Sequence, residues 1–160
     1  MPDITIRPAS RADAALIHHF IVELAIYERA EDQVAASPAD IERSLFADDA
    51  VAQGLICCLD GQPVGFAVYF FNYSTWLGKP GLYLEDLYVS PEHRGSGAGT
   101  ALLKHLAQIA CERQCGRFEW SVIDWNAPAI RFYEGIGAAA QPEWVRYRMA
   151  GDALARFAEA

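Results

Sequence analysis

Four things are scarce in this sequence. No apolar run approaches the length of a membrane-spanning helix, which argues against a helical membrane protein. Basic residues are outnumbered, 13 Lys and Arg against 21 Asp and Glu, for a net charge of −8. Nucleic-acid binding wants a basic face, so no nucleic-acid partner is expected. The excess of acid suits a cationic ligand, or solubility alone. Metal-ligand spacing is missing as well. Cys57 and Cys58 are neighbours on a strand-like stretch, and Cys111 and Cys115 lie one helical turn apart. No histidine or cysteine pair completes a set around either, and His18, His19, His93 and His105 show no metal spacing. All four cysteines therefore read as reduced and structural, and no metal is expected. Low-complexity segments, internal repeats and linkers are also lacking, so residues 1–160 are expected to form one domain. Met1-Pro-Asp-Ile carries no basic n-region, which makes the cytoplasm the expected location.

What the sequence does have is concentrated between residues 84 and 115. Leu84, Asp86 and Tyr88 alternate with Glu85, Leu87 and Val89, a strand spacing with each set on its own face. By that alternation Glu85 and Asp86 point apart. Ser90-Pro91 ends the strand, because proline donates nothing to a ladder. Arg94 and glycines at 95, 97 and 99 follow. The period then turns helical, with Leu102, Leu103, Leu106, Ile109 and Ala110 on one face. Strand, glycine loop and helix N-terminus make a phosphate cradle: the first helical N–H groups lack partners, and the dipole is positive there. A Walker loop needs a lysine that Gly99-Thr100-Ala101 lacks. A dinucleotide fingerprint needs a glycine where Thr100 stands.

The rest of the chain supplies an α/β order. Residues 4–7 read as a strand, with Ser10 and Asp13 as a capping-box start for a helix bearing Leu16, Ile17, Phe20, Ile21, Leu24 and Ala25 on one face. Ser37-Pro38 caps a second helix, with Ile41, Leu45 and Phe46 inward. Residues 55–59 and 64–73 form a hairpin about Asp60-Gly61, and residues 83–89 are taken as the central strand. A strand at 118–123, a short helix at 127–134, a last strand at 144–149 and a short tail complete the order.

Arg94-x-x-Gly97-x-Gly99 after a strand, with Asn126-x-x-Ala129-x-x-Phe132-Tyr133 downstream, resembles the GNAT N-acetyltransferases. Glu23-Leu-Ala-Ile-Tyr-Glu28, Tyr83-Leu-Glu-Asp86 and Val122-Ile-Asp-Trp-Asn126 narrow the resemblance to the diamine (spermidine/spermine) acetyltransferase subfamily. Tyr73-Ser-Thr-Trp76 is similar to its thialysine acetyltransferase branch; the polyamine branch carries an acid where Ser74 stands. The resemblance implies a GNAT fold, with a mixed, mostly antiparallel sheet flanked by helices. It also implies acetyl-CoA as cosubstrate, a small-molecule primary amine as acceptor and a homodimer. Polyamine acetylation stays open as an alternative, as does a module that binds CoA without catalysis.

Amine acylation sets its own demands. An alkyl ammonium of pKa about 10.4 is neutral in roughly one molecule in 2,500 at pH 7, a cost of about 4.6 kcal/mol. Carboxylates must gather the ammonium and pass on its proton, and the thiolate that leaves needs a proton donor. On residues alone, Tyr133 beside Phe132 reads as packing, Glu85 as half of a structural ion pair, Trp76 as edge packing and Asn126 as a helix cap. The resemblance implies more. Tyr133 becomes the general acid and Glu85 the base, acting through water. Leu87, Tyr88 and Val89 hold the pantetheine arm, with an N–H near Tyr88 facing the oxyanion. Arg94, Gly95, Ser96, Gly97, Ala98, Gly99 and Thr100 hold the pyrophosphate, and Asn126 hydrogen-bonds the pantetheine. Tyr27, Glu28, Trp76 and Asp86 bind the amine. With no cysteine placed as a nucleophile, transfer is expected to be direct.

Overall fold

The computed structural model describes residues 2–159, which divide into two compact units, Met1–Ser121 and Val122–Ala160. The first unit holds a five-stranded sheet in the order β1 (Ile4–Pro8), β2 (Gln53–Leu59), β3 (Gln62–Ser74), β4 (Lys79–Val89) and β5 (Arg117–Trp120). Neighbouring strands are antiparallel from β1 to β4, and β4 runs parallel to β5. This is the mixed, mostly antiparallel sheet expected from the sequence. Its middle strand is β3, however, and β4 lies next to the β5 edge. The β2–β3 turn is left-handed at both Asp60 (φ +50°) and Gly61 (φ +83°), the backbone that a tight hairpin requires.

Helix α1 (Ala14–Tyr27) and helix α2 (Pro38–Leu45) cover one face of the sheet. Ile17 and Phe20 of α1 pack with Ile56, Cys58, Phe66 and Tyr88, the Phe20 and Phe66 rings stacked 5.7 Å apart. Leu55 and Cys57, alternating with these, are buried on the other face, over which α3 (Ala98–Glu112) lays Leu102, Leu103 and Leu106. Each such fully buried aliphatic side chain contributes about 1.5–3 kcal/mol. The start of α1 is fastened by charge. Asp13 is buried and takes two hydrogen bonds from the Arg7 guanidinium, at 2.7 and 2.9 Å, and one from the Ser10 N–H at 2.7 Å. The Arg7 hydrogen bonds are the main reason its carboxyl is held down at about 2.

In the second unit, Asn126 caps α4 (Ala127–Gly135), and α5 (Gly151–Glu159) closes the described chain. Two sequence expectations fail around this unit. The strand expected at 118–123 ends at Trp120, and the one expected at 144–149 does not form. Val145, Tyr147 and Met149 alternate correctly with Arg146 and Arg148, yet they and Trp144 stand exposed and make no ladder. Alternation fits a residue to a pleat; only a partner edge makes a strand. Among the described residues, no helix is long and apolar enough to cross a membrane.

Candidate active site

The site is built on a fault in β4. Leu84 pairs with Tyr69 and Asp86 with Val68, so Glu85 has no partner on β3: it is the extra residue of a β-bulge. Paired residues share a face, and Val68 and Tyr69 face opposite ways. Leu84 and Asp86 therefore lie on opposite faces, although the sequence alternation puts them together. Asp86 and Tyr88 join the α1 face beside Val68 and Phe66. The ladder to β5 stops at Leu84, the residue before the bulge, and leaves the rest of β4 open on that side. Ser90 donates to the Val64 carbonyl at 2.8 Å, which fixes the phase of the ladder. Main-chain groups of Leu87 and Val89 then point away from β3 to the open edge, and those of Tyr88 point to β3. Of these residues, Leu87 and Val89 present their N–H groups to the open edge and Tyr88 does not.

Three carboxylates meet at the bulge. Glu28 is the C-cap of α1, where burial raises its pKa. Asp86 is pushed up to about 6, mostly by burial and further by the charges of Glu85 and Glu28. Glu85 is exposed, and as the next residue in the chain its charge acts on Asp86. Among the described residues, no Lys, Arg or His forms an ion pair with any of the three. Two of them stand where the α1 dipole is negative, so neither dipole nor partner relieves them.

Beyond β4 the chain makes a tight turn at Pro91–His93 and enters the loop. Gly95 (φ +82°) and Gly97 (φ +93°) are left-handed, and Gly97 directly precedes α3. Gly99 is helical, so its missing side chain matters only for closeness of approach. Ser96 Oγ donates to the His93 carbonyl at 2.6 Å. His93 Nδ1 is buried without a protein partner beside the loop, and the α3 amides open onto the same turn; both fit a phosphate-bearing ligand. The side chain of Arg94 turns the other way. Its Nε donates to the Val89 carbonyl at 3.1 Å, and its guanidinium lies 5.1 Å from the Tyr27 ring centre and 5.6 Å from that of Tyr88. These three residues, with Glu23, Ile26 and Pro91, line a cavity of about 250 Å³.

The β3–β4 turn does not belong to this cluster within one chain. Ser74 is buried, its Oγ accepts from the Leu77 N–H at 3.2 Å, and Trp76 is exposed at the tip. From Lys79 to Asp86, seven steps along β4 span roughly 20 Å.

Residues 18–138 match the family model described as the Acetyltransferase (GNAT) family. The thialysine N-epsilon-acetyltransferase of Sus scrofa is 36% identical, over 99% of both chains. This chain belongs to the GNAT acetyltransferase family. A Homo sapiens spermidine/spermine N(1)-acetyltransferase-like protein 1 is 37% identical over 89% of this chain and 22% of its own length. Among solved structures, an integron cassette protein from the V. cholerae mobile metagenome superposes with a TM-score of 0.83 at 30% identity, covering 98% of each chain. The protein is an acetyl-CoA-dependent N-acetyltransferase that acts on a small-molecule amine.

The remaining GNAT motif lies in the second unit. Asn126 Oδ1 accepts from the Ala129 N–H at 3.4 Å, so the cap reading is observed. Tyr133 is half-buried, its ring 5.9 Å from that of Phe132. Sequence reasoning missed the bulge, the Arg94–Tyr27 stack and one glycine. A side chain at Gly65 would strike the Tyr88 carbonyl and come within 3.2 Å of Val89 Cα, behind the open edge. A lone glycine inside the apolar Val64-Gly-Phe-Ala run was the available signal.

Proposed function

We propose that this GNAT enzyme acetylates the side-chain amine of a thialysine-like or lysine-like amino acid, by direct transfer in a ternary complex. The cluster of Glu28, Glu85 and Asp86, which has no ion-pair partner among the described residues, carries the reading of the acceptor end. Its three carboxylates gather an ammonium. Asp86, with a pKa of about 6, holds it near neutral pH, and Glu85 takes its proton through water. Tyr27 walls the amine side. Bound acetyl-CoA supplies a thioester carbonyl and a thiol leaving group. Loop residues 94–100 take its pyrophosphate, the open edge at Leu87 and Val89 takes the pantetheine arm, and Asn126 adds a hydrogen bond. The amine forms the new C–N bond as the C–S bond breaks. An edge N–H of Leu87 or Val89 steadies the oxyanion, and Tyr133 protonates the thiolate. Residues 1–160 are read as one catalytic domain. A cytoplasmic homodimer completes the reading. The exposed 144–149 stretch is its candidate interface, and Trp76 serves an acceptor site only if the hairpin tip reaches one.

Similarity to the pig enzyme and the Tyr73-Ser-Thr-Trp76 stretch support this acceptor class. An amine panel with acetyl-CoA and a thiol-release readout tests it: thialysine, lysine, spermidine, putrescine and an aminoglycoside. The highest kcat/KM is expected for thialysine. A preference for spermidine establishes the polyamine reading instead. Binding of CoA without turnover of any amine overturns both. Tyr133→Phe is expected to lower kcat by about 10²–10⁴-fold; full activity would reduce Tyr133 to packing.

A further inference from the structure

Arg94 opens the loop that fits the pyrophosphate, but its side chain is not spent there. The Nε bond to the Val89 carbonyl fixes the guanidinium against the open edge of β4. The same guanidinium is stacked on Tyr27, the last residue of α1, and on Tyr88 of β4. Tyr88 belongs to the packed core, while Tyr27 is 41% exposed at the end of α1. Glu28 follows Tyr27 directly, at the point where α1 ends, so its position depends on where Tyr27 is held. A planar guanidinium can join two rings and donate in its own plane at once; an ammonium cannot.

We infer that Arg94 is a positioning residue for the amine acceptor: by clamping Tyr27 against Tyr88 and Val89, it holds the end of α1 so that Glu28 stands beside Asp86. Donor loop and acceptor wall are thereby joined through one side chain. The inference rests on the placing of the amine at Glu28 and Asp86 proposed above.

The test is a double-mutant cycle on amine KM, measured at saturating acetyl-CoA so that weaker cosubstrate binding does not enter. Arg94→Gln and Tyr27→Leu are each expected to raise amine KM about three- to tenfold. The double variant is expected to be no worse than either alone, because each removes the same stack. Arg94→Lys, which keeps charge but not the planar fork, is expected to recover only part of the loss. An unchanged amine KM in Arg94→Gln, or losses that add in the double variant, overturns the inference. Asp86→Asn separates this failure from the larger one. If it raises amine KM while Arg94→Gln does not, only the clamp is wrong. If it leaves amine KM unchanged, the acceptor placement fails and the clamp with it. Thermal melting of each variant shows whether it is folded; if Arg94→Gln does not fold, Arg94→Lys carries the decision, expected to raise amine KM about two- to threefold, an unchanged KM overturning the inference.

Discussion

The two ends of α1 carry the same kind of side chain in opposite circumstances. At its start, Asp13 faces the positive end of the helix, receives both arms of Arg7 and the Ser10 N–H, and is held at about 2. At its finish, Glu28 and Asp86 lie at the negative end and lose water, and the charges of Glu85 and Glu28 push Asp86 further up, to about 6. An acid whose environment answers it is a fastener. An acid whose environment opposes it is held there by the rest of the fold, and it answers to something outside the chain. The difference also fixes opposite pH signs. The folded pKa of Asp13 lies below its ordinary 3.8, so its stabilisation is complete above that value and fades as pH falls through about 2. The folded pKa of Asp86 lies above 3.8, so its burial costs nothing below that value and the full penalty above about 6.

Asp86→Asn sharpens the contrast most. It should lower amine kcat/KM by about a hundredfold or more, the loss of a charge-assisted contact in a buried site. At pH 7.5 it should also raise the unfolding free energy, by about 1–3 kcal/mol. Urea titration beside steady-state kinetics reads both, and a variant that is inactive and also less stable would make Asp86 another fastener. Asp13→Asn should do the reverse. Stability at pH 7 should fall by about 1–2 kcal/mol, allowing for the half-exposed Arg7, with kcat per folded molecule unchanged; the gap to the parent should close near pH 2. A third measurement follows the amine itself. Its affinity for the CoA complex, by calorimetry, should weaken several-fold between pH 7.5 and 5 as Asp86 takes up a proton. A flat profile would remove Asp86 from ammonium binding. Smallest is Glu28→Gln, expected to weaken the amine about two- to threefold and to move that transition down by a few tenths of a pH unit. An upward move would mean that Glu28 does not act on Asp86 by charge.

The two ends were not equally legible in the sequence. Ser10 and Asp13 are three residues apart, and the capping pattern is local, so the start of α1 could be read directly. The loop was legible for the same reason, since Gly95 and Gly97 announce their own backbone. The acidic end is assembled by pairing. Glu85 carries no mark of a bulge; it becomes the extra residue only when Val68 and Tyr69 take Asp86 and Leu84 as partners. Read alone, the alternation through residues 84–89 gave Leu84 the wrong companions. Residues 144–149 erred in the opposite direction, with a strand pattern and no edge to join. Arg94 was found by its motif, but the motif speaks for the main chain of the loop and is silent about Tyr27.

The bulge also bears on how such a site arises. Without Glu85, Leu84 would still oppose Tyr69 and Asp86 would still oppose Val68, each on the face it has now. The β3–β4 ladder would run on without a break. In the gene, the distance between that unbroken ladder and the one observed is a single codon, gained or lost in frame.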